Sequence, residues 1–230
     1  FDEVAYECSQ KVTNGYSTSF SSAVKMLAPS IRPAIHSIYG FVRFADEVVD
    51  TFHEKDKKLL LDKFEWDFYQ SLEMGISLNP ILHSFQKTIK QYNIDVELVD
   101  SFLKSMRMDI EKKDYTTQDE YKDYIYGSAD VVGLMCLKVF VNGNETLYQD
   151  LEESARRLGA AFQKINFLRD VKADYQELGR TYFPGVDLDK FTRIEKLKIE
   201  VDIQDDFKHA LEGIVKLPSS SRLGVYVAYR

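Results

Sequence analysis

The stretch from Gln163 to Asp174, QKINFLRDVKAD, decides the fold prediction because it places an amide and two acids four residues apart. On a helix, Asn166, Asp170 and Asp174 share one stripe. Read backward in steps of three and four residues, the stripe becomes apolar, through Phe162, Leu158, Ala155 and Leu151. This pattern is typical of a helix face turned toward a core. The acids are therefore predicted to point inward, where two neighbouring carboxylates need a cation.

A second acidic pair occurs near the N-terminus, in YGFVRFADEVVD at 39–50. Asp46 and Asp50 are again four residues apart, and they extend an apolar stripe made of Ile35, Tyr39 and Val42. If the two helices face one another across a bundle, four carboxylates converge on one cavity. Oxygen ligands of this kind suit Mg²⁺ ions that keep most of their waters. Such ions bind a diphosphate and neutralise the charge that develops on it as a leaving group.

The alternative for an acidic i,i+4 pair is a solvated helix face, where such pairs are common. Two features favour a functional site here. Both pairs are in phase with apolar residues, and both lie beside an arginine, Arg43 or Arg169. The second pair also has Gln163 and Asn166 as neutral oxygen donors nearby.

Both segments resemble a known family. The segment at 39–50 resembles the first aspartate-rich motif of the squalene and phytoene synthases, and NFLRDVKADYQELGRTYFP at 166–184 resembles the second. Three further segments resemble family regions: GYSTSFSSAV at 15–24, MRMDIEKKDY at 106–115 and YIYGSADVVGLM at 124–135. The resemblance runs from about Tyr6 to the last residue. It implies an all-α fold, a single isoprenoid synthase domain over residues 1–230 with a helical bundle around a central cavity.

The resemblance also implies an activity, the Mg²⁺-dependent head-to-head condensation of two prenyl diphosphates through a cyclopropylcarbinyl diphosphate. Mn²⁺ is the alternative ion. The implied metal ligands are Asp46, Asp50, Asn166, Asp170 and Asp174. The implied catalytic residues are the four aspartates with Arg43 and Tyr39. The implied substrate-binding residues are Tyr16, Ser17, Ser19, Phe20, Ala129, Val132, Gly133, Gln163, Asn166, Arg169, Arg180 and Tyr182.

Some of these residues have a structural alternative. Ser19 fits a helix N-cap ahead of Phe20 nearly as well as it fits a contact to diphosphate. The small residues of segment 127–133 can serve close helix packing instead of lining a prenyl channel. Arg180 and Tyr182 resemble part of a family flap that closes over the metal site.

The product is a second open question. MRMDI at 106–110 and YGSADVVGLM at 126–135 favour a phytoene synthase that joins two C20 geranylgeranyl diphosphates without NADPH. A squalene or dehydrosqualene synthase acting on farnesyl diphosphate is the alternative. A class I terpene cyclase and a catalytically silent relative that serves as an assembly or binding protein are the other possibilities. Because all four acids are present, an active enzyme is favoured.

Composition agrees with one helical domain, since 230 residues contain 11 glycines and 5 prolines and have no linker-like tract. A net charge of −7 argues against a nucleic-acid partner. Cys8 and Cys136 are too few for a disulfide framework. No run of about 20 apolar residues is present. We expect a cytoplasmic protein in peripheral contact with the inner face of a membrane, and a C-terminal end that is incomplete because VYVAYR at 225–230 stops within a helix.

Periodicity and breaker residues predict the helix positions. The predicted helices are 2–13, 20–27, 32–52, 57–74, 80–92, 95–113, 117–141, 145–177, 192–199, 203–216 and 219–230.

Overall fold

The structure is a computed structural model that describes residues 1–112, 115, 117–173, 182–184 and 191–230, and every regular element within them is helical. The α-helices in chain order are α1 (Asp2–Tyr16), α2 (Thr18–Val24), α3 (Arg32–Asp50), α4 (Lys57–Met74), α5 (Pro80–Tyr92), α6 (Val96–Glu111), α7 (Gln118–Ile125), α8 (Val131–Val141), α9 (Glu145–Ala173), α10 (Arg193–Ile214) and α11 (Ser219–Tyr229). A π-helical turn, Tyr126–Asp130, joins α7 to α8. The all-α prediction is confirmed.

One helix differs from the sequence prediction. The segments 192–199 and 203–216 form a single helix, α10. Thr192 and Glu195 start it with a capping box, in which each side chain accepts a hydrogen bond from the other residue's backbone N–H. No glycine or proline then interrupts the chain before Gly213, so nothing in the sequence ends the helix at residue 200. The predicted helix 117–141 contains the π-helical turn, and the predicted end of helix 145–177 lies outside the described residues. The other described boundaries agree with the prediction to within a few residues.

The core is built around α3, which packs against α1, α4, α5, α6 and α8. Phe41 at its centre is fully buried. Its ring stacks on Phe85 at 4.1 Å between centroids and contacts Phe68 at 5.2 Å. Aromatic pairs of this kind contribute about 0.5–1.5 kcal/mol each beyond the area they bury. This cluster fixes the helix that carries the first acidic pair.

A second, smaller apolar cluster is mostly aromatic. It contains Tyr115, Tyr121, Tyr124, Ile125, Ala160, Phe167, Tyr182 and Phe183. The hydroxyl of Tyr124 donates a 2.7 Å hydrogen bond to the buried carboxylate of Asp109. This cluster holds α9 against α7 and the segment at 182–184.

Glycines bring α8 and the π-helical turn close to α9. A Cβ at Gly159 would lie 2.6 Å from the carbonyl oxygen of Ala129, and one at Gly133 would lie 2.7 Å from that of Ala155. Gly159 contacts Ala129, whereas the earlier residue Ala155 contacts the later residue Gly133. The chain segment 126–141 and α9 therefore run antiparallel. Phe140 and Leu151 therefore lie toward one end of the pair, away from Ala129 and Gly159.

The continuous helical path from Gln118 to Val141 has a mean hydropathy of 1.5 over its most apolar window and is long enough to cross a bilayer. However, 67% of that window is buried inside the fold. Its apolar character is accounted for by packing in the core.

Candidate active site

A cavity of about 370 Å³ lies among α2, α3, α8, α9, α10 and α11. Its described lining is apolar except for a few neutral polar side chains, and it carries no charged residue. On α3 the last lining residue is Val42, and on α9 it is Asn166. In both helices the acidic pair begins one turn later, at Asp46 and at Asp170. The apolar stripes of both helices line the cavity, and the acids are not part of its described lining.

Arg43 organises the first acidic motif. Its Nη1 donates to Asp46 Oδ2 at 2.7 Å, and its Nη2 forms an ion pair with Glu47. Glu47 also accepts a 2.8 Å hydrogen bond from Thr51 Oγ1. The Nε–H of Arg43 is buried and has no hydrogen-bond partner among the described residues. The two carboxylates therefore hold this guanidinium at the site, and 30% of the Arg43 side chain is exposed.

Asp46 is an unusual carboxylate. Burial raises its pKa to about 6, the neighbouring Asp50 carboxylate acts in the same direction, and Arg43 opposes both. The side chain is nevertheless 36% exposed. The raised pKa shows that burial and the Asp50 charge together outweigh the attraction of Arg43. A divalent cation would add positive charge here, and the oxygen donors are of the type that Mg²⁺ prefers.

The second acidic motif is more open. Gln163 and Asn166 line the cavity, as predicted for neutral oxygen donors. Arg169 donates two hydrogen bonds to Asp170, at 2.9 and 2.7 Å, and 65% of the Arg169 side chain is exposed. This contact lowers the pKa of Asp170. Asp174, the fourth predicted acid, lies outside the described residues.

The described residues contain no group of three or more acids, histidines or cysteines placed to hold a metal ion. Asp46, Asp50 and Asp170 are therefore not drawn into one cluster in this structure. The donor types and the raised pKa of Asp46 fit a divalent cation. The complete predicted ligand set includes Asp174 and stays a prediction.

The small-hydroxyl segment packs beside the first acidic motif. Ser17 caps α2 by accepting a 3.2 Å hydrogen bond from the Phe20 backbone N–H, so the N-cap considered for Ser19 belongs to Ser17. Ser19 is exposed. The ring of Phe20 stacks on Tyr39 at 4.9 Å, and the Arg43 guanidinium lies 4.4 Å from the centroid of the Tyr16 ring. The predicted site residues Tyr16, Phe20, Tyr39 and Arg43 thus lie next to one another in two ring contacts beside the first acidic motif.

The predicted channel residues Ala129, Val132 and Gly133 all line the cavity. The structural alternative for this segment is also correct, since Gly133 allows close approach to α9. π-Helical turns frequently mark functional sites, and this one presents Ala129 to the cavity.

Tyr182, a predicted substrate-binding residue, lies outside the described cavity lining. It is buried in the aromatic cluster, where its ring stacks on Phe167 at 4.1 Å. Arg180 lies outside the described residues. The predicted flap role of this pair stays a prediction.

Several lining residues were not predicted as site residues, among them Cys136, Phe140, Phe162, Gly213 and Gly224. Cys136 and Phe140 could have been predicted, because they follow the predicted channel residue Val132 at steps of four residues on the same helix face. Phe162 belongs to the stripe that ends at Asn166. Sequence alone cannot separate such residues from ordinary core.

An all-helical bundle around an apolar cavity, with acidic pairs one turn beyond the lining, defines the helical isoprenoid synthase class. Two solved structures share the fold. A squalene synthase, HpnC, from Alicyclobacillus acidocaldarius aligns with a TM-score of 0.83 and 23% identity over 98% of this chain and 90% of its own. A dehydrosqualene synthase aligns with a TM-score of 0.86 and 21% identity over 99% and 83%.

The family model for squalene/phytoene synthase matches residues 13–227, and the chain belongs to this family. A phytoene synthase of Arthrospira platensis is 31% identical over 83% of this chain and 64% of its own length. A 15-cis-phytoene synthase of Synechocystis sp. is 30% identical over 98% and 74%. The chain thus spans less than two thirds of the length of the Arthrospira relative.

Proposed function

We propose that this protein condenses two geranylgeranyl diphosphates head to head to give phytoene. The observation that carries the proposal is an apolar cavity bordered on two helices by acids beside arginines, in a chain about 30% identical to phytoene synthases. Farnesyl diphosphate, the C15 substrate, is the alternative. The similarity to phytoene synthases favours the C20 substrate, and the likeness to C30 synthase structures concerns the fold.

The proposed reaction has two halves. The first substrate loses diphosphate, its allylic cation bonds to the double bond of the second substrate, and a proton is lost to form a cyclopropylcarbinyl diphosphate. The second diphosphate then leaves, the cation rearranges, and loss of another proton gives the hydrocarbon. Two diphosphates and two protons are released for each product, and no reductant is consumed.

The charged residues would bind the diphosphates. Arg43 is held between Asp46 and Glu47 with 30% of its side chain exposed, and Arg169 extends from α9 with 65% of its side chain exposed. Planar guanidinium groups make paired hydrogen bonds to phosphate oxygens. Asp46, Asp50 and Asp170, with Asp174 and Asn166, would hold Mg²⁺, which when bound neutralises the charge of the leaving diphosphate.

The apolar walls would bind the prenyl chains and exclude water. Ala129 lies in the π-helical turn and Val132 and Gly133 at the start of α8, and Phe140 lines the cavity further along α8. A dry cavity matters because water captures a carbocation as an alcohol.

Product analysis tests the proposal. The purified protein is incubated with Mg²⁺ and either geranylgeranyl or farnesyl diphosphate, with and without NADPH, and the extracted hydrocarbons are identified. We expect phytoene from the C20 substrate, independent of NADPH. A C30 hydrocarbon as main product would identify the farnesyl alternative, and no release of diphosphate from either substrate would contradict the proposal.

We also propose that the protein works in the cytoplasm at a membrane surface, because its product would be a hydrocarbon that partitions into lipid. Co-sedimentation with neutral lipid vesicles tests this. Complete absence from the vesicle pellet would contradict it.

A further inference from the structure

Phe162 stands out among the aromatic residues of the cavity. It lies on α9 one turn before Asn166, lines the cavity, and is 36% exposed. Most large aromatic side chains of the interior are packed on all sides, as Phe41 and Phe85 are. An aromatic ring left open beside the polar residues of a cavity is available to a ligand.

The ring of Phe162 is held from the side. Phe207 of α10 contacts it edge to face, with centroids 5.9 Å apart and planes at 71°. Phe207 in turn meets Tyr229 of α11 at 5.4 Å and 79°. In an edge-to-face pair at least one face of each ring is not covered by the other. The contact therefore holds Phe162 from one side, while the side chain lines the cavity and stays 36% exposed.

A positive charge inside this cavity has few groups to stabilise it. None of the described lining residues is charged. Of the other aromatic lining residues, Phe20 and Tyr39 stack on one another, and Phe140 lies toward the end of α8 that is remote from Ala129 and Gly159. Phe162 is thus the described ring beside Gln163 and Asn166 that is not stacked on a second lining ring.

We infer that Phe162 presents its face to the carbocation of the reaction and determines how that cation is consumed. A cation held on the ring loses a proton to give the hydrocarbon. A cation that water reaches forms a C–O bond to the water oxygen, which then loses a proton to give an alcohol. This inference rests on the proposed function and adds to it a residue that controls fidelity.

The first test compares products. Phe162→Leu keeps an apolar side chain and removes the ring face, whereas Phe162→Tyr keeps the face. Phe1→Leu is the matched control, the same change at an exposed ring that contacts His83 edge to face and is not part of the described cavity lining. We expect Phe162→Leu to raise the ratio of alcohols to hydrocarbon about 2- to 30-fold, the range for loss of one cation–π contact. Phe162→Tyr and Phe1→Leu keep the wild-type ratio.

The second test does not need turnover. Binding of a geranylgeranyl dimethylammonium cation is compared with binding of its uncharged carbon isostere by calorimetry. Wild type and Phe1→Leu should prefer the cation, and Phe162→Leu should lose about 2- to 30-fold of that preference. An unchanged preference in Phe162→Leu overturns the inference whatever the products are. If wild type makes no hydrocarbon, the proposed function fails while this comparison still decides the role of the ring.

Discussion

At the residue scale, the chemistry centres on charges that the protein does not neutralise by itself. Asp46 has one arginine partner, Arg43, which it shares with Glu47, and it lies beside Asp50. Burial and the neighbouring acid raise its pKa to about 6. An exposed carboxylate beside an arginine has a lowered pKa, as Asp170 beside Arg169 does. Bound Mg²⁺ would favour the charged form of Asp46 and lower its pKa in the same way.

The Asp46→Asn variant should therefore lose response to Mg²⁺. We expect Mg²⁺ to raise the melting temperature of wild type, since a ligand that binds the folded state stabilises it. Loss of even an outer partner costs a metal site about 10- to 100-fold in affinity, and removal of a ligand should cost at least that. Thermal unfolding with and without Mg²⁺ measures the effect. Asp67→Asn, in an exposed ion pair with Lys63, is the control. Equal Mg²⁺ responses in both variants would contradict a role for Asp46.

Asp130 provides a pH test away from the acidic motifs. Burial raises its pKa from 3.8 to about 6, Asp206 and Glu153 act in the same direction, and Arg156, whose Nε lies 3.3 Å from Oδ2, opposes them. Because the folded pKa is above the unfolded one, the folded state binds more protons between about pH 4 and 6. The free energy of unfolding should fall as pH rises through this range.

Asp130→Asn removes this contribution while it keeps the shape of the side chain. The loss of stability between pH 4 and pH 7 should be smaller in the variant than in wild type, by roughly 1–3 kcal/mol. Urea unfolding across the pH range measures both curves. Parallel curves would show that Asp130 does not titrate as its environment implies.

At the element scale, the sequence predicted which segments are helical because apolar periodicity is strong and breakers are few. It failed at residues 200–202, where it placed a helix end that no breaker residue supports. It also could not reveal the π-helical turn or the close contacts of Gly159 with Ala129 and of Gly133 with Ala155, which together form a seam along α9. Those depend on which backbone meets Gly133 and Gly159, a property of packing that local sequence does not contain.

The seam gives a prediction with a matched control. Gly159→Ala would place a Cβ 2.6 Å from the Ala129 carbonyl oxygen, a backbone atom that cannot move aside cheaply. We expect a loss of about 1–3 kcal/mol in the free energy of unfolding, as for other overpacked sites. Gly15, in α1, has no atom within 4 Å of an added Cβ. Gly15→Ala should be neutral or stabilise by about 0.5–1 kcal/mol, because alanine favours the helix. Equal effects in chemical unfolding would contradict the close seam.

At the scale of the whole molecule, the two acidic motifs with their apolar stripes were enough to predict a central cavity and one class of chemistry. The residues that line the cavity were predicted only in part. Phe140 and Cys136 are apolar residues on a helix, as core residues are, and only the assembled bundle distinguishes them. The position of Tyr182 in the aromatic cluster likewise depends on tertiary packing.

The length of the cavity should set the length of the prenyl chain. Phe140→Trp reduces the space toward the remote end of α8. We expect it to lower kcat/KM for geranylgeranyl diphosphate relative to farnesyl diphosphate by about 10-fold or more, since pocket size discriminates substrates by such factors. Competition between the two substrates measures the ratio. An unchanged ratio would mean that the chain does not reach Phe140.

A crystal structure with Mg²⁺ and an unreactive thiodiphosphate analogue of the C20 substrate tests the central claim most directly. The account predicts Mg²⁺ between the diphosphate and aspartates of both motifs, with Asp46 as one ligand and the Arg43 guanidinium in contact with phosphate oxygens. The prenyl chain should lie along Ala129, Val132 and Gly133 inside the cavity. A diphosphate bound away from both acidic pairs, or a chain outside the cavity, would contradict the account.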